Sequence, residues 1–188
     1  MKKLFIFLLI IFNVTVLAND KDPVIFLGKV LSEIKPFLIE KNDFFLEKVM
    51  NKYVDFNEIA LWLAGKTLWT SASDLEKNNF LTELKALMLN TYKKTVYYYI
   101  DADIEFLKPK FNELFNNEKR IQIASVMQKN NKNISISYRL IKNYDSWLVF
   151  DILIEGISIL KSLQSQYSYI IKSKGLVYAT DQIKINNK

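Results

Sequence analysis

Apolar residues in the first half of the chain recur at steps of three and four residues, which is the spacing of an amphipathic helix. The pattern predicts a helix over about 23–33, a second that begins at Asn42–Asp43, a third from Asp55 to Gly65, and a long fourth from Ser73 to about Tyr99. Asp55 and Ser73 are each followed three positions later by glutamate, the pattern of a capping box at a helix start. We therefore predict that the N-terminal half of the chain is helical.

From about residue 102 the apolar period changes to two, the spacing of a half-buried β-strand. The pattern predicts strands over 104–107, 120–128, 134–140 and 147–155, and their short links favour an antiparallel meander. The last strand is apolar on both faces, so we expect both faces to be covered. Beyond Gly156 the helical period returns, in a helix that ends at Gly175 and a shorter one over 176–183.

These elements predict a fold of the α+β class. N-terminal helices pack on a twisted four-stranded antiparallel sheet, and C-terminal helices close the domain. Half of the residues are apolar, and a curved sheet beneath helices forms a concave apolar pocket. We therefore expect an apolar cavity between the sheet and the helices, suited to a ligand that must be shielded from water.

The first 18 residues have the features of a signal peptide. Lys2 and Lys3 are followed by an apolar run from Leu4 to Phe12 and by the small-residue pattern Val16-Leu17-Ala18. We expect cleavage after Ala18 and a mature single domain over 19–188 in the periplasm. The alternative is an uncleaved membrane anchor, but the run of nine residues is far below the roughly 20 needed to span a bilayer.

The composition excludes several classes of function. The chain has no histidine and no cysteine, which removes His-dependent triads, thiol nucleophiles, Cys/His zinc sites and disulfides. Its four glycines are far apart, so a Gly-rich phosphate loop is absent. The net charge of +6 becomes +4 without Lys2 and Lys3. The remaining lysines are scattered, which does not favour a nucleic-acid partner.

Carboxylate chemistry is the enzyme class that this composition leaves open. Asp151 lies inside an apolar strand, where an ionised carboxylate is costly unless it is hydrogen-bonded. Asp151 or Asp103 could pair with Tyr138 as an acid and base, and in that enzyme Asp151→Asn would abolish turnover and leave the fold intact. We favour the structural interpretation, in which Asp151 ties a loop or a neighbouring backbone segment.

The order and spacing of several motifs resemble those of the MlaC, or toluene-tolerance auxiliary, family. The resemblance extends over about 22–183, and the motifs that carry it are Tyr53–Ala60, Leu63–Gly65, Ser137–Arg139, Trp147–Ser158, Ser165–Tyr167 and Lys174–Leu176. The chain departs from the family pattern at two points. Trp69 lies four residues after Gly65 where the family has an aromatic residue three after its glycine, and Gln164 replaces an arginine. The first departure predicts a reshaped connection after Gly65.

The resemblance implies a soluble periplasmic phospholipid carrier with an NTF2-like outline. Members of that family hold acyl tails between a twisted sheet and helices and leave the headgroup exposed. They move lipid between an outer-membrane lipoprotein–porin complex and an inner-membrane ABC transporter complex with MCE domains, which maintains the lipid asymmetry of the outer membrane. The family has no catalytic residues, metal or cofactor beyond its phospholipid cargo, and we expect a monomer.

We predict that residues of the long helix and of the alternating strands contact the acyl tails and exclude water from them. They are Leu84, Leu87, Met88 and Tyr92 on the helix, and Ile136, Tyr138, Leu140, Phe150, Ile152 and Ile154 on the strands. The phase of the last strand is open, because Trp147, Val149 and Leu153 on its opposite face are equally apolar. A second alternative is an exported protein-interaction module with a dry core. It would copurify without lipid and would be unaffected by filling of the pocket, for example by Leu87→Trp.

Overall fold

The computed structural model describes residues 22–99, 101–107 and 119–187. Its described helices are α1 (Pro23–Ile39), α2 (Asp43–Tyr53), α3 (Phe56–Ala64), α4 (Lys66–Ser71), α5 (Asp74–Tyr98) and α6 (Ile159–Asn186). Within these ranges, none of the helices combines the length and apolar character that a membrane span requires. The predicted signal peptide lies outside the described residues, so cleavage after Ala18 and the mature domain over 19–188 stay predictions.

The helices begin at the residues that the capping patterns predict. The carboxylate of Asp55 accepts a hydrogen bond from the Glu58 backbone N–H at 2.9 Å. Ser73 and Glu76 form both hydrogen bonds of a capping box at the start of α5. The capping side chains satisfy N–H groups that have no partner inside a helix.

Two helical features differ from the predictions. α1 continues past Pro36 to Ile39, because Leu38 is buried and the Phe37 ring stacks on Phe45 of α2 at 4.7 Å between centroids. The short helix α4 was not predicted. It follows Gly65 and buries Trp69, whose ring packs edge-on against Phe80 of α5 at 6.1 Å.

The described strands form one antiparallel sheet in the order β1 (Asp103–Phe106), β2 (Arg120–Lys129), β3 (Lys132–Asn143), β4 (Ser146–Ile154) and β5 (Ile157–Ser158). The α+β class and the meander are confirmed, but the prediction of four strands is wrong because the sheet has five. β5 has two residues, too few for an alternating pattern to reveal. Glu155 and Gly156 both have positive φ, the geometry of a tight hairpin turn that folds β5 back on β4.

A β-bulge interrupts the pairing of β3 with β4. Arg139 pairs with Asp151, whereas the next residue, Leu140, pairs with Val149, so Phe150 is an extra residue on β4. A bulge of this kind shifts the alternation of side chains between the two faces by one position. Val149 and Ile152 therefore share one face, and Phe150 packs on the opposite side.

The buried apolar side chains form two clusters, one on each side of the sheet. The helical cluster joins α3, α4, α5 and α6 and includes Phe150 of β4. The sheet cluster joins α1 and α2 to one face of β2, β3 and β4. The hairpin of α1 and α2 is thus the cover of that sheet face, and β4 contributes to both clusters.

Polar ties hold the α1–α2 hairpin in place. Glu33 of α1 accepts hydrogen bonds from Lys52 at 2.8 Å and from the Tyr53 hydroxyl on α2. Asp43 at the start of α2 accepts hydrogen bonds from Lys93 at 2.7 Å and the Tyr97 hydroxyl at 2.5 Å on α5. The hydrogen bonds of Glu33 join α1 to α2, and those of Asp43 join the tip of the hairpin to α5.

α6 is interrupted at the point where the sequence predicts a helix end. Gly175 has φ 84° and ψ 172°, outside the helical region. The helix resumes after it and ends at Asn186, slightly beyond the predicted 183. Glycine is required at this kink because side chains strongly disfavour such a backbone conformation.

Candidate functional site

A small cavity lies where the helical cluster and the sheet cluster meet. Its volume is about 40 Å³. The residues that line it come from β4, from the α2–α3 connection, and from α3, α5 and the start of α6: Val54, Ile59, Met88, Val149, Phe150, Asp151, Ile152, Ile159, Leu160 and Leu163. All but Asp151 are apolar, so the site favours apolar contents.

The bulge in β4 and an unusual strand contact position this cavity. Val54 pairs in parallel with Val149 at the edge of β4 that β5 leaves uncovered. The Asp55 backbone N–H donates to the Val149 carbonyl at 2.9 Å. These contacts bring the beginning of α3 against the bulge. There the side chains of Phe150 and Ile152 lie on opposite faces of β4.

The structure brings three of the ten predicted acyl-contact residues into the wall of the cavity. They are Met88 of α5 and Phe150 and Ile152 of β4. Leu84 and Leu87 belong to the helical cluster, while Ile136, Tyr138 and Leu140 belong to the sheet cluster. Tyr92 and Ile154 are half-buried. Contact of any of these ten residues with lipid stays a prediction.

The predicted strand residues do not all share one face. Ile136, Tyr138, Leu140 and Ile152 do so, but Phe150 packs with the helical cluster because of the bulge. Val149, which a regular strand would place opposite Ile152, joins it instead. The composition of the strand does not distinguish these two arrangements, so the sequence pattern alone could not have placed Val149 in the site.

Asp151 is the polar member of the cavity wall and the centre of a buried hydrogen-bond network. Its Oδ2 accepts from Arg139 Nη1 at 2.9 Å and from the Ser158 hydroxyl at 2.7 Å, and its Oδ1 accepts from the Leu160 backbone N–H at 3.0 Å. Ser158 Oγ in turn caps α6 by accepting from the Lys161 N–H. Asp151 therefore joins β3 and β4 to the start of α6.

The neighbourhood of Asp151 also affects Tyr92 on α5. Burial raises the pKa of the Tyr92 hydroxyl, and the nearby Asp151 carboxylate raises it further. Both effects disfavour the phenolate. Tyr92 is thus a neutral, half-buried group on the long helix near Asp151.

A second buried carboxylate ties α3 to the sheet. Glu58 is 8% exposed and accepts hydrogen bonds from Trp62 Nε1 at 2.8 Å and from Arg120 at the start of β2. The guanidinium of Arg120 lies over the Phe150 ring, 5.7 Å from its centroid. This contact supports the bulge from the helical side.

The acid–base pair that the sequence left open is not assembled. Asp151 pairs with Arg139 across the strands, whereas Tyr138, the neighbouring residue on β3, points to the opposite face. Asp103 lies on β1, three strands away from β4 and on the face opposite Tyr138. Within the described ranges, no group of three or more carboxylate, histidine or cysteine side chains could hold a metal ion.

The size of the cavity constrains what it holds. A volume of about 40 Å³ holds a few water molecules, since one water molecule needs roughly 10–15 Å³ of such space. Pockets for small ligands have volumes of roughly 300–1,000 Å³. A ligand of that size therefore enters only if the helices around the cavity move away from β4.

Comparisons with known proteins identify relatives of the chain. A family model described as MlaC protein matches residues 39–184. Among the solved structures that match is the phospholipid-binding protein from Ralstonia solanacearum in complex with a phospholipid. The match has a TM-score of 0.73 and 18% sequence identity, and it covers 90% of this chain and 96% of that chain. At this identity the likeness establishes a common fold. No curated protein sequence matches the chain significantly.

Proposed function

The chain belongs to the MlaC protein family, and on that premise we propose that it is a periplasmic phospholipid carrier. It holds the acyl tails between the sheet and the helices and leaves the headgroup near the surface. The observation that carries the proposal is the apolar cavity at the seam of the two clusters. The related fold of a protein whose structure was solved with bound phospholipid supports it.

The driving force for tail binding is burial of apolar surface. Each methylene removed from water contributes about 0.8 kcal/mol, so a tail of about a dozen methylenes gains roughly 10 kcal/mol. Met88, Phe150 and Ile152 already meet at the cavity. A tail that enters there replaces contacts between side chains of the two clusters by contacts with itself.

Movement of the tip of the α1–α2 hairpin away from α5 costs little in polar interactions, whereas the buried hydrogen bonds of Asp151 and Glu58 keep α6 and α3 on the sheet. The tip of the α1–α2 hairpin is tied to α5 by Asp43 with Lys93 and Tyr97, and the Asp43 side chain is 47% exposed. Exposed ion pairs contribute only about 0–1 kcal/mol. The principal cost of opening is loss of apolar packing, which the tails restore. Lipid uptake therefore mainly replaces apolar contacts within the protein by apolar contacts with the tails.

We propose the transport step by analogy with the family that the chain belongs to. The carrier passes phospholipid between an outer-membrane lipoprotein–porin complex and an inner-membrane ABC transporter complex with MCE domains, and so maintains outer-membrane lipid asymmetry. In this proposal the protein is monomeric, performs no catalysis and binds no metal or cofactor besides its cargo.

The decisive experiment is native mass spectrometry, with organic extraction, of protein purified from the periplasm without detergent. We expect a mass excess that extracts as phospholipid. Ile152→Trp, which fills the seam, should lower the bound lipid, while Ile157→Trp on β5, where Ile157 is 67% exposed, should not. Circular dichroism checks that both variants fold, because overpacking a core costs about 1–3 kcal/mol.

The small volume of the cavity favours one alternative, a protein-interaction module with a dry core. That module would give a mass without lipid, would refuse added phospholipid, and would be indifferent to Ile152→Trp. This combination of results would replace the carrier proposal.

A further inference from the structure

A second concavity lies on the surface, away from the seam between the clusters. It is a groove of about 370 Å³ lined by Ala64, Gly65, Lys66, Thr67, Leu68, Ser71 and Lys172. We call it the α4 groove. It lies at the connection between α3 and α4, the connection that the departure from the family pattern at Trp69 predicts to be reshaped. None of its residues lines the seam cavity.

The backbone at Gly65 shapes this groove. Gly65 has φ 81° and ends α3 while its carbonyl accepts from the Trp69 N–H at 3.0 Å, the first turn of α4. Trp69 then turns inward and is buried. The turn directs Lys66 and Thr67 outward above a floor formed by the buried Ala64 and the half-buried Leu68.

The charged residues that line the α4 groove are both lysines, Lys66 and Lys172. Residues 59–73 contain Lys66 and no acidic residue, and residues 156–180 contain three lysines and no acidic residue. Lys66 and Lys172 face the groove from two different helices, and neither forms an ion pair within the part of the chain that the structure describes. Two ammonium groups that line the groove and form no ion pair there create a positive potential that favours an anionic partner.

We infer that the α4 groove is a docking site for an acidic segment of a partner protein, one that presents carboxylates beside an apolar side chain. Carboxylates pair with Lys66 and Lys172, and the apolar side chain packs on Ala64 and Leu68. A free inorganic anion fits less well, because an open groove leaves it hydrated and exposed pairs contribute little by themselves. The combination of charge and apolar floor favours a peptide over a small ion.

The test uses the full mature chain and synthetic peptides followed by NMR. The acidic probe has the sequence Glu-Leu-Glu-Asp-Leu-Glu with blocked ends, and the control probe replaces its acids by Gln and Asn. We expect the acidic probe to shift the amide signals of Gly65, Lys66 and Thr67, and to bind more weakly as salt is added. The control probe, inorganic phosphate and phosphatidylglycerol vesicles should leave these signals unshifted.

Matched variants locate the interaction. Lys66→Glu with Lys172→Glu should weaken binding roughly tenfold or more, because two attractive contacts become repulsive. Lys48→Glu with Lys132→Glu changes the net charge equally at exposed sites outside the groove and should preserve at least half of the affinity. Bound phospholipid should be unchanged in both, which separates this inference from the carrier proposal.

Three results would overturn the inference. The first is no binding of the acidic probe at millimolar concentration, and the second is equal binding by the two double variants. The third is an equal response of the groove signals to the neutral peptide, to phosphate or to the vesicles, which would assign the groove to a different ligand or to none.

Discussion

Replacement of Asp151 by asparagine tests how the sheet is joined to α6. The asparagine retains the acceptor that binds the Leu160 N–H. It removes the negative charge and presents an amide nitrogen, or a weaker acceptor, to Arg139 and Ser158. The Asp151 side chain is fully buried and that of Arg139 is 12% exposed, so the guanidinium loses its carboxylate in a position that water barely reaches.

The magnitude follows from the geometry of this pair. Removal of one partner of a buried ion pair costs about 3–5 kcal/mol, because an uncompensated charge is left behind. Arg139 keeps a hydrogen bond from Nε to Gln122 Oε1 at 3.1 Å, which places the expected loss near the lower limit, about 3 kcal/mol. For a domain of this size the midpoint of thermal unfolding should fall by roughly 6–12 °C.

The assay is urea and thermal unfolding monitored by circular dichroism. Asp181→Asn on the exposed surface of α6 is the matched control and should lie within about 0.5 kcal/mol of the unmutated protein. In a double-mutant cycle, Arg139→Gln should cost at least about 1 kcal/mol less in the Asp151→Asn background. An Asp151→Asn protein as stable as its parent would refute this account and would revive the acid–base interpretation, in which the fold survives and a turnover is lost.

Three further outcomes test the helical framework. Hydrogen bonds from Lys93 and Tyr97 hold the pKa of Asp43 below its ordinary value of 3.8. The stability that these hydrogen bonds contribute is therefore fully present above pH 3.8 and is lost as the pH falls through the lowered pKa. The urea midpoints of the parent and of Asp43→Asn should accordingly converge between pH 5 and pH 2. Gly175→Ala should destabilise by about 1–3 kcal/mol in denaturant unfolding, because the kink has φ 84°. Ser73→Ala should cost about 1 kcal/mol and increase hydrogen exchange in the first turn of α5, and unchanged exchange there would contradict the role of the capping box.

Local chemistry explains why most helices and strands were predictable. Asp55 and Ser73 carry their capping signals within four residues, and glycine, as at Gly175, is the residue at which helices commonly end. α4 and β5 were missed for the same reason, since six and two residues are too few to display a period. The extension of α1 past Pro36 depends on Leu38 and on the Phe37–Phe45 stack, which are tertiary contacts that no local pattern contains.

The site was less predictable than the fold because its geometry depends on one inserted residue. The choice of Met88, Phe150 and Ile152 from periodicity placed three residues in the cavity wall, although Phe150 packs on the face opposite the one expected. Val54 and Val149 could not be identified in this way, because their meeting depends on a strand contact between segments almost a hundred residues apart. The phase of β4 changes at Phe150, and both of its faces are apolar, so the pattern contains no sign of the change.

The bulge at Phe150 also matters for comparison of this chain with its relatives. A relative with a regular strand here would differ by one residue in length, yet a conventional alignment with a single gap would look unremarkable on either side of it. Side chains on both sides of a gap at Phe150 would be equivalent, whereas a gap placed elsewhere in the strand would match the residues between it and Phe150 to partners that face the opposite side of the sheet. A substitution at Val149 or Phe150 is therefore best judged by which of the two clusters its side chain enters. Compensating substitutions should be sought in the helices of that cluster.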